Sequence, residues 1–124
     1  MLPIQNRLRH RRDFSRVYQR GTRLNSLALS LRAYSRVKQA HPPEESSHPV
    51  RIGFSISQKI SKRAVIRNRI KRRLRAAFRQ LLPRVQDGWD LILVVRPDAV
   101  ECDYLEFLQQ LEQLLAQANI LHGN

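Results

Sequence analysis

The sequence contains one cysteine, Cys102. A lone thiol excludes a disulfide framework, a CxxC redox pair and a cysteine-rich metal knuckle. No run of about 18 apolar residues occurs, so no transmembrane helix is expected. The N-terminal residues are charged from Arg7 onward and lack the apolar segment of a secretory signal. A cytoplasmic location follows as the expectation. Acid is scarce: 10 Asp and Glu stand against 23 Lys and Arg, for a formal net charge of +13. Catalytic patterns are absent as well. There is no HExxH, no P-loop, no GxGxxG and no GxSxG elbow. His10, His41, His48 and His122 are scattered without ligand spacing. Apart from Glu44-Glu45 and a C-terminal group, the acids do not cluster, which argues against two-metal phosphodiester cleavage by the chain itself. No catalytic residue and no protein-held metal is expected.

What is present is positive charge, unevenly placed. At 124 residues the chain is read as one domain, 1–124, with a single modest core. A field of this sign and size favours nucleic acid or an anionic membrane surface over a small acidic substrate. Residues 1–38 hold ten Lys/Arg and one acid, Asp13, whereas residues 97–124 hold five acids and no Lys or Arg. That pattern describes a folded body with one basic face and one acidic or neutral end.

Periodicity supplies the elements. Residues 1–10 read as extended. Residues 11–20 place Phe14, Val17 and Tyr18 at helical spacing, with Gly21 to end the helix. Core packing and a platform for nucleobases are both open readings of Phe14 and Tyr18. A short strand near 22–24 is compatible with the pattern. Residues 27–34 alternate Leu27, Leu29, Leu31 and Ala33 against Ala28, Ser30, Arg32 and Tyr34, as in a half-buried strand. Residues 39–49, rich in proline, read as a surface loop. Residues 50–57 set Val50, Ile52, Phe54 and Ile56 against the small or polar Arg51, Gly53, Ser55 and Ser57. That second face is either solvated or left open for a ligand backbone or base. Residues 87–90 read as a turn, 91–95 as a strand covered on both faces, and 103–118 as a helix capped by Asp103 and Glu106. Its expected apolar stripe is Leu105, Leu108, Leu111, Leu115 and Ala118.

The centre of the chain is residues 51–79, with eleven Lys/Arg and no acid. A helix over 62–82 would bury Ile66, Ile70, Leu74, Ala77, Phe78 and Leu81 in one stripe, ending before Pro83. Asn68, Arg72, Arg75 and Arg79 fall on the opposite side, with Arg69 and Lys71 flanking. A merely solvated helix gains from mixed charge at i, i+4, whereas like charges repel by a few tenths of a kcal/mol per pair. A polyanionic partner explains why the cost is tolerated. The order helix, strand, strand, helix, strand, helix includes a β-α-β unit with a parallel pair, and a two-layer α/β sandwich with a mixed sheet follows.

Arg51-Ile-Gly-Phe-Ser-Ile-Ser-Gln-Lys59, followed by Ala64-Val65-Ile66-Arg67-Asn68-Arg69-Ile70-Lys71-Arg72, resembles the signature of the bacterial ribonuclease P protein family. Asp13-Phe14, Val17-Tyr18 and Gly21 resemble that family's first helix. The resemblance implies an α/β sandwich with a left-handed β-α-β crossover, against the usual right-handed hand. It implies a protein subunit that joins ribonuclease P RNA and precursor tRNA, promoting removal of the 5′ leader, with the catalytic magnesium ions held by the RNA. No protein partner and no membrane enter this reading. By resemblance, Lys59, Lys62, Arg63, Arg67, Asn68, Arg69, Lys71, Arg72 and Arg75 would contact the catalytic RNA. Arg11, Arg12, Phe14, Tyr18, Arg32, Ser55 and Ser57 would line a cleft for the leader. Gln58 stands where the family often has a basic residue, and Arg32 where some members have an aromatic, so one phosphate contact and one stacking contact would differ. A ribosomal or other structural RNA-binding protein is the alternative that the charge and size equally allow.

Overall fold

The computed structural model describes residues 2–36 and 49–122. Its elements are α1 (Arg11–Arg20), β1 (Thr22–Asn25), β2 (Leu29–Ser35), β3 (Arg51–Ser55), α2 (Ala64–Leu81), β4 (Trp89–Val95) and α3 (Tyr104–Gln117). Short 3-10 turns lie at Ile4–Asn6, Leu82–Arg84 and Pro97–Glu101. The strands form one mixed sheet in the order β1-β2-β4-β3. β2 is antiparallel to β1 and β4, and β3 is parallel to β4. Parallel neighbours cannot be joined by a tight turn, so α2 makes the crossover. The mixed α/β architecture and the element order are those expected from the sequence, and the short strand near 22–24 is β1. Among the described residues no helix is long and apolar enough to cross a membrane.

Alternation sends each strand's residues to two faces. On the first face, Leu24, Leu31, Leu93 and Phe54 form one cross-strand row, and Ala33, Leu91 and Ile52 the next. α2 and α3 cover these rows and contribute Ile70, Leu74, Phe78, Phe107 and Leu111 to the main core. The second face carries the rows Arg23–Arg32–Ile92–Gly53 and Asn25–Ser30–Val94–Ser55, and beyond them Tyr34–Asp90–Arg51. α1 covers only part of this face, with Val17 against Ile92 and Leu8. β4 is thus covered on both sides, which explains its unbroken apolar run.

Several boundaries differ from the sequence reading. Residues 1–10 are not simply extended: Ile4–Asn6 make a 3-10 turn, and the Leu8 N–H donates to the Ile52 carbonyl at 2.9 Å. Leu27 lies outside the strand expected at 27–34 and is 67% exposed, because β2 starts only at Leu29 after the bend from β1. The strand expected at 50–57 ends at Ser55, where a turn toward α2 begins. The turn expected at 87–90 is tighter, so Trp89 and Asp90 belong to β4. α2 is shorter than 62–82, and Pro83 sits in the 3-10 turn that follows. The loop expected at 39–49 lies, except for Pro49, outside the described residues. α3 has the expected capping box, with Asp103 and Glu106 exchanging two hydrogen bonds of 2.9 Å. Its buried stripe is rotated, however, onto Phe107, Leu111, Leu114 and Leu115, and Leu105 is 64% exposed. The packing of α3 against both α2 and the sheet, and not the leucines alone, sets that face. Gln110 serves the sheet side: its Oε1 accepts from the Ser26 hydroxyl at 2.7 Å and the Ala28 N–H at 2.9 Å.

Gly21 does end α1, although its φ of −80° needs no glycine. A Cβ there would lie 2.5 Å from the Val17 carbonyl oxygen and 2.8 Å from that of Ala33. Close approach of β2 is the reason for the glycine. Cys102 is buried, and burial, followed by Glu106, Asp103 and Asp98, raises its thiol pKa and keeps it neutral.

One polar network crosses the second face. Asp90 is fully buried. Arg51 donates to it from Nε and Nη2 at 2.9 and 2.8 Å, and Arg36 approaches at 3.0 Å. Arg51 also reaches Asp13 of α1 at 3.3 Å. The hydrogen bond to Asp90 raises the pKa of Arg51, whereas burial lowers that of Arg36. Removing one member of a buried pair strands the other's charge and costs about 3–5 kcal/mol. Asp90→Ala is therefore expected to lose about that much in urea unfolding, while Arg84→Ala, at the half-exposed Arg84–Glu112 pair, loses less than about 1 kcal/mol. Equal losses in the two variants would contradict this assignment of the network.

Candidate nucleic-acid interface

The cationic residues fall into two differently built surfaces. The first is the outer side of α2 with the turn before it. Lys59, Lys62 and Arg63 are exposed in the turn, and Asn68 and Arg72 are exposed on the helix. Arg67, Arg69, Lys71 and Arg75 are half-buried along its flanks. The helix faces outward as its apolar stripe dictates. Its first turn has no acid and its N-cap, Arg63, makes no side-chain cap. Cations near a helix N-terminus oppose its positive dipole end, at about 0.3–1 kcal/mol each. Among the described residues, none of the Lys or Arg from Lys59 to Arg79 forms an ion pair; the ion pairs involve Arg16, Arg36, Arg51 and Arg84. This face is an unneutralised cationic surface.

Not every arginine of α2 is free for a partner. The Arg67 guanidinium donates to the Ser61 carbonyl at 2.7 Å and so holds the basic turn in place. Arg73 donates to the Cys102 carbonyl at 2.8 Å, tying α2 to the segment before α3. The Nε of Arg69 is buried with no hydrogen-bond partner among the described residues.

The second surface is the sheet face on which α1 lies, where the helix leaves part of the sheet uncovered. Phe14 and Tyr18, one turn apart on α1, have different environments. Phe14 rests on β3: a Cβ at Gly53 would lie 2.4 Å from its Cζ. Gly53 is therefore glycine because the ring occupies that space. Tyr18 is 40% exposed, and the Arg32 guanidinium lies 5.1 Å from its ring centroid. Core packing describes Phe14, and an open platform backed by a cation describes Tyr18. Arg32 carries a further buried Nε without a partner among the described residues. Ser55 lies on the same face, in the row with Val94, Ser30 and Asn25. Ser57 does not: it follows the strand, and its hydroxyl accepts from the Lys59 N–H at 2.8 Å, shaping the turn. Arg11 and Arg12 are exposed at the first turn of α1, beside a concavity that they share with His10, Asp13 and Arg16.

The structure thus places Tyr18, Arg32 and Ser55 on the α1 side of the sheet, packs Phe14 against Gly53 on that same side, and puts Arg11 and Arg12 at the N-terminal end of α1. Sequence reasoning missed Arg16, which stands 6.0 Å from the Tyr34 ring, and the polar pair Ser30–Asn25 at 2.7 Å on the same face. Alternation in residues 27–34 already put Ser30 beside Arg32, so that residue was legible. No group of His, Cys, Asp and Glu able to hold a metal occurs among the described residues. The arrangement offers point cations for phosphates, aromatic faces for bases and small hydroxyls at their edges, which are the components of single-stranded and structured RNA binding.

The family model described as "Ribonuclease P" matches residues 2–119. The chain is 58% identical over 130 residues to the ribonuclease P protein component of Cyanothece sp., covering 99% of each chain. It is 50% identical over 137 residues to that of Nostoc punctiforme, covering 99% of this chain and 98% of the relative. Among solved structures, the RNase P protein of Staphylococcus aureus superposes with a TM-score of 0.77 at 26% identity, covering 94% of this chain and 98% of that one.

Counterion release makes the affinity of such a surface fall with salt, by about 0.7–0.9 in log–log slope for each phosphate contact. Arg72→Gln is expected to weaken binding to structured RNA and to lower that slope by about one contact, read by titration at several salt concentrations. Gly53→Ala is expected to displace Phe14 and cost about 1–3 kcal/mol in unfolding; an unchanged midpoint would show that the ring yields freely.

Proposed function

The chain belongs to the ribonuclease P protein family, and from that membership we propose that it holds two RNA molecules at once. The outer side of α2 and the basic turn grip the catalytic RNA through Lys59, Lys62, Arg63, Asn68, Arg69, Lys71, Arg72 and Arg75, with Arg67 setting the turn. The α1 side of the sheet, with Tyr18, Arg32 and Ser55 presented on it and Phe14 packed beneath, takes the single-stranded 5′ leader of precursor tRNA, and Arg11 and Arg12 meet its phosphates. Ser57 acts through the turn. The holoenzyme is a tRNA-processing endoribonuclease of the bacterial cytoplasm. The observation that carries this reading is the contrast, on the same small domain, between an outer α2 face with no ion pair among the described residues and a sheet face that presents the exposed Tyr18 ring beside Arg32. A structural RNA-binding protein would need the first and has no use for the second.

The work of the protein is electrostatic and positional. Two polyanions must approach each other, and arginines already fixed by the fold screen that repulsion without reorganising. Magnesium ions held by the RNA supply the hydrolytic chemistry. The side chains set where the leader lies, which fixes the register of the scissile bond. A guanidinium such as Arg32, stacked on Tyr18, can meet a phosphate while the ring meets a base, so charge and stacking act on one nucleotide.

The direct test is cleavage of precursor tRNA by a bacterial ribonuclease P RNA at low magnesium, with and without the protein. Strong stimulation at the mature 5′ end, with no cleavage by protein alone, is the expected outcome. RNA binding without stimulation would assign the protein to RNA scaffolding. Replacing Tyr18 by Ala is expected to weaken binding of leader-bearing substrate by about 1–3 kcal/mol while leaving binding of mature tRNA unchanged.

A further inference from the structure

The two surfaces meet at a concavity that neither accounts for. β3 is an edge strand of the sheet. The N-terminal arm runs beside it and pairs at one point, Arg7 with Ile52. The Ile52 carbonyl accepts from the Leu8 N–H, so the outward-facing groups of β3 are those of Ile52 and, two residues on, Phe54. Among the described residues no strand pairs with the outer edge past Ile52, and the Phe54 N–H and C=O have no main-chain partner on that side. Beside this edge lies a concavity of about 330 Å³ whose walls include Arg9 of the arm, Phe14 of α1, Phe54 of β3, and Lys71 and Arg75 of α2.

Four cations from two separate segments, Arg7 and Arg9 of the arm and Lys71 and Arg75 of α2, therefore line a concavity that wraps the edge of β3, with Phe14 on one face of the sheet, Phe54 on the other and an open stretch of main chain between. Arg9 is exposed and forms no ion pair among the described residues. The volume is at the low end for ligand sites, about 300–1,000 Å³, and suits one nucleotide, not a folded helix. Edge strands invite pairing, but this open edge is too short for strand addition by a peptide, and its rim is cationic. A base could stack on Phe54 with its edge hydrogen-bonded to the Phe54 main chain, while its phosphates lie between Arg9 and the Lys71–Arg75 pair.

We propose that this pocket at the junction of the N-terminal arm, β3 and α2 holds one unpaired nucleotide of an RNA strand passing between the α1 side of the sheet and the α2 face, with Arg9 and Phe54 as its recognition residues. The inference rests on the two-surface reading above and extends it to residues that reading leaves unused. Single-stranded RNA is the shared chemistry; the strand is either the leader or an unpaired segment of the catalytic RNA.

The test uses the full chain reconstituted with a bacterial ribonuclease P RNA. Affinity for precursor tRNAs of graded leader length, and affinity of the protein for the RNA alone, are measured for Arg9→Gln, Arg9→Lys and Phe54→Leu. Arg96→Gln, an exposed charge at the far end of β4, controls for loss of net charge. If the strand is the leader, Arg9→Gln and Phe54→Leu each lose about fivefold in affinity for long-leader substrates only. If it is the catalytic RNA, the same loss appears in protein–RNA binding whatever the leader. In either case Arg9→Lys restores most of the affinity and Arg96→Gln stays near wild type. Arg9→Gln and Phe54→Leu indistinguishable from Arg96→Gln in both measurements would overturn the pocket. Failure of the unaltered protein to stimulate cleavage would instead overturn the two-surface reading, and is recorded before any variant is compared.

Discussion

Burial of the Asp90 carboxylate constrains the rest of this molecule. A charge with no exposure must be matched on the spot, and it is matched by Arg51 and Arg36. Arg51 then has a second acid to satisfy, Asp13, which belongs to α1. One guanidinium thereby fixes the position of α1 over the sheet. The apolar contact between them is small, with Val17, Leu8 and Ile92 at its centre. The ion network supplies the directionality that so few apolar side chains cannot. Where α1 sits decides how much of the sheet remains open, and sets the Tyr18 ring over Arg32.

The α2 helix presents the opposite problem. Its outer charge has no counterion within the fold, so its own electrostatics work against it. It is held by Ile70, Leu74, Ala77, Phe78 and Leu81 in the main core and by the bond from Arg73 to the Cys102 carbonyl. α3 packs beside it with no cation in its last turn, and the acids Asp98, Glu101, Asp103, Glu106 and Glu112 gather in and before α3. Only Glu112 takes a partner by ion pairing among the described residues, and that partner, Arg84, lies beyond α2. Among the described residues none of these acids pairs with the outer face of α2.

Much of this was legible in the chain. The 11–20 helix, the basic helix with its buried stripe, the capped last helix and the parallel pair all follow from spacing and caps, because those signals are local. The Arg-Asn-Arg run on a helix with no acid marked the cationic surface. What failed to show depends on contacts distant in sequence. Asp90 read as part of a turn because its partners are 39 residues away at Arg51 and beyond the loop at Arg36. Ser57 read as a face residue because alternation says nothing about where a strand stops. Phe14 and Tyr18 carried the same spacing and received different environments, since only Phe14 meets a glycine across the interface. Arg67 looked like a further phosphate ligand, and it in fact donates to the Ser61 carbonyl that the fold brings to it.

The sequence by itself determined the composition of the surface, the identity of the buried stripes and the order of the elements, since charge, period and capping are properties of short segments. Tertiary structure decided which arginines remain free, which aromatic is open, and that the N-terminal arm closes only part of the β3 edge. Those outcomes require two segments far apart in the chain to share one place, and a close approach such as that of Phe14 on Gly53 exists only once both have arrived.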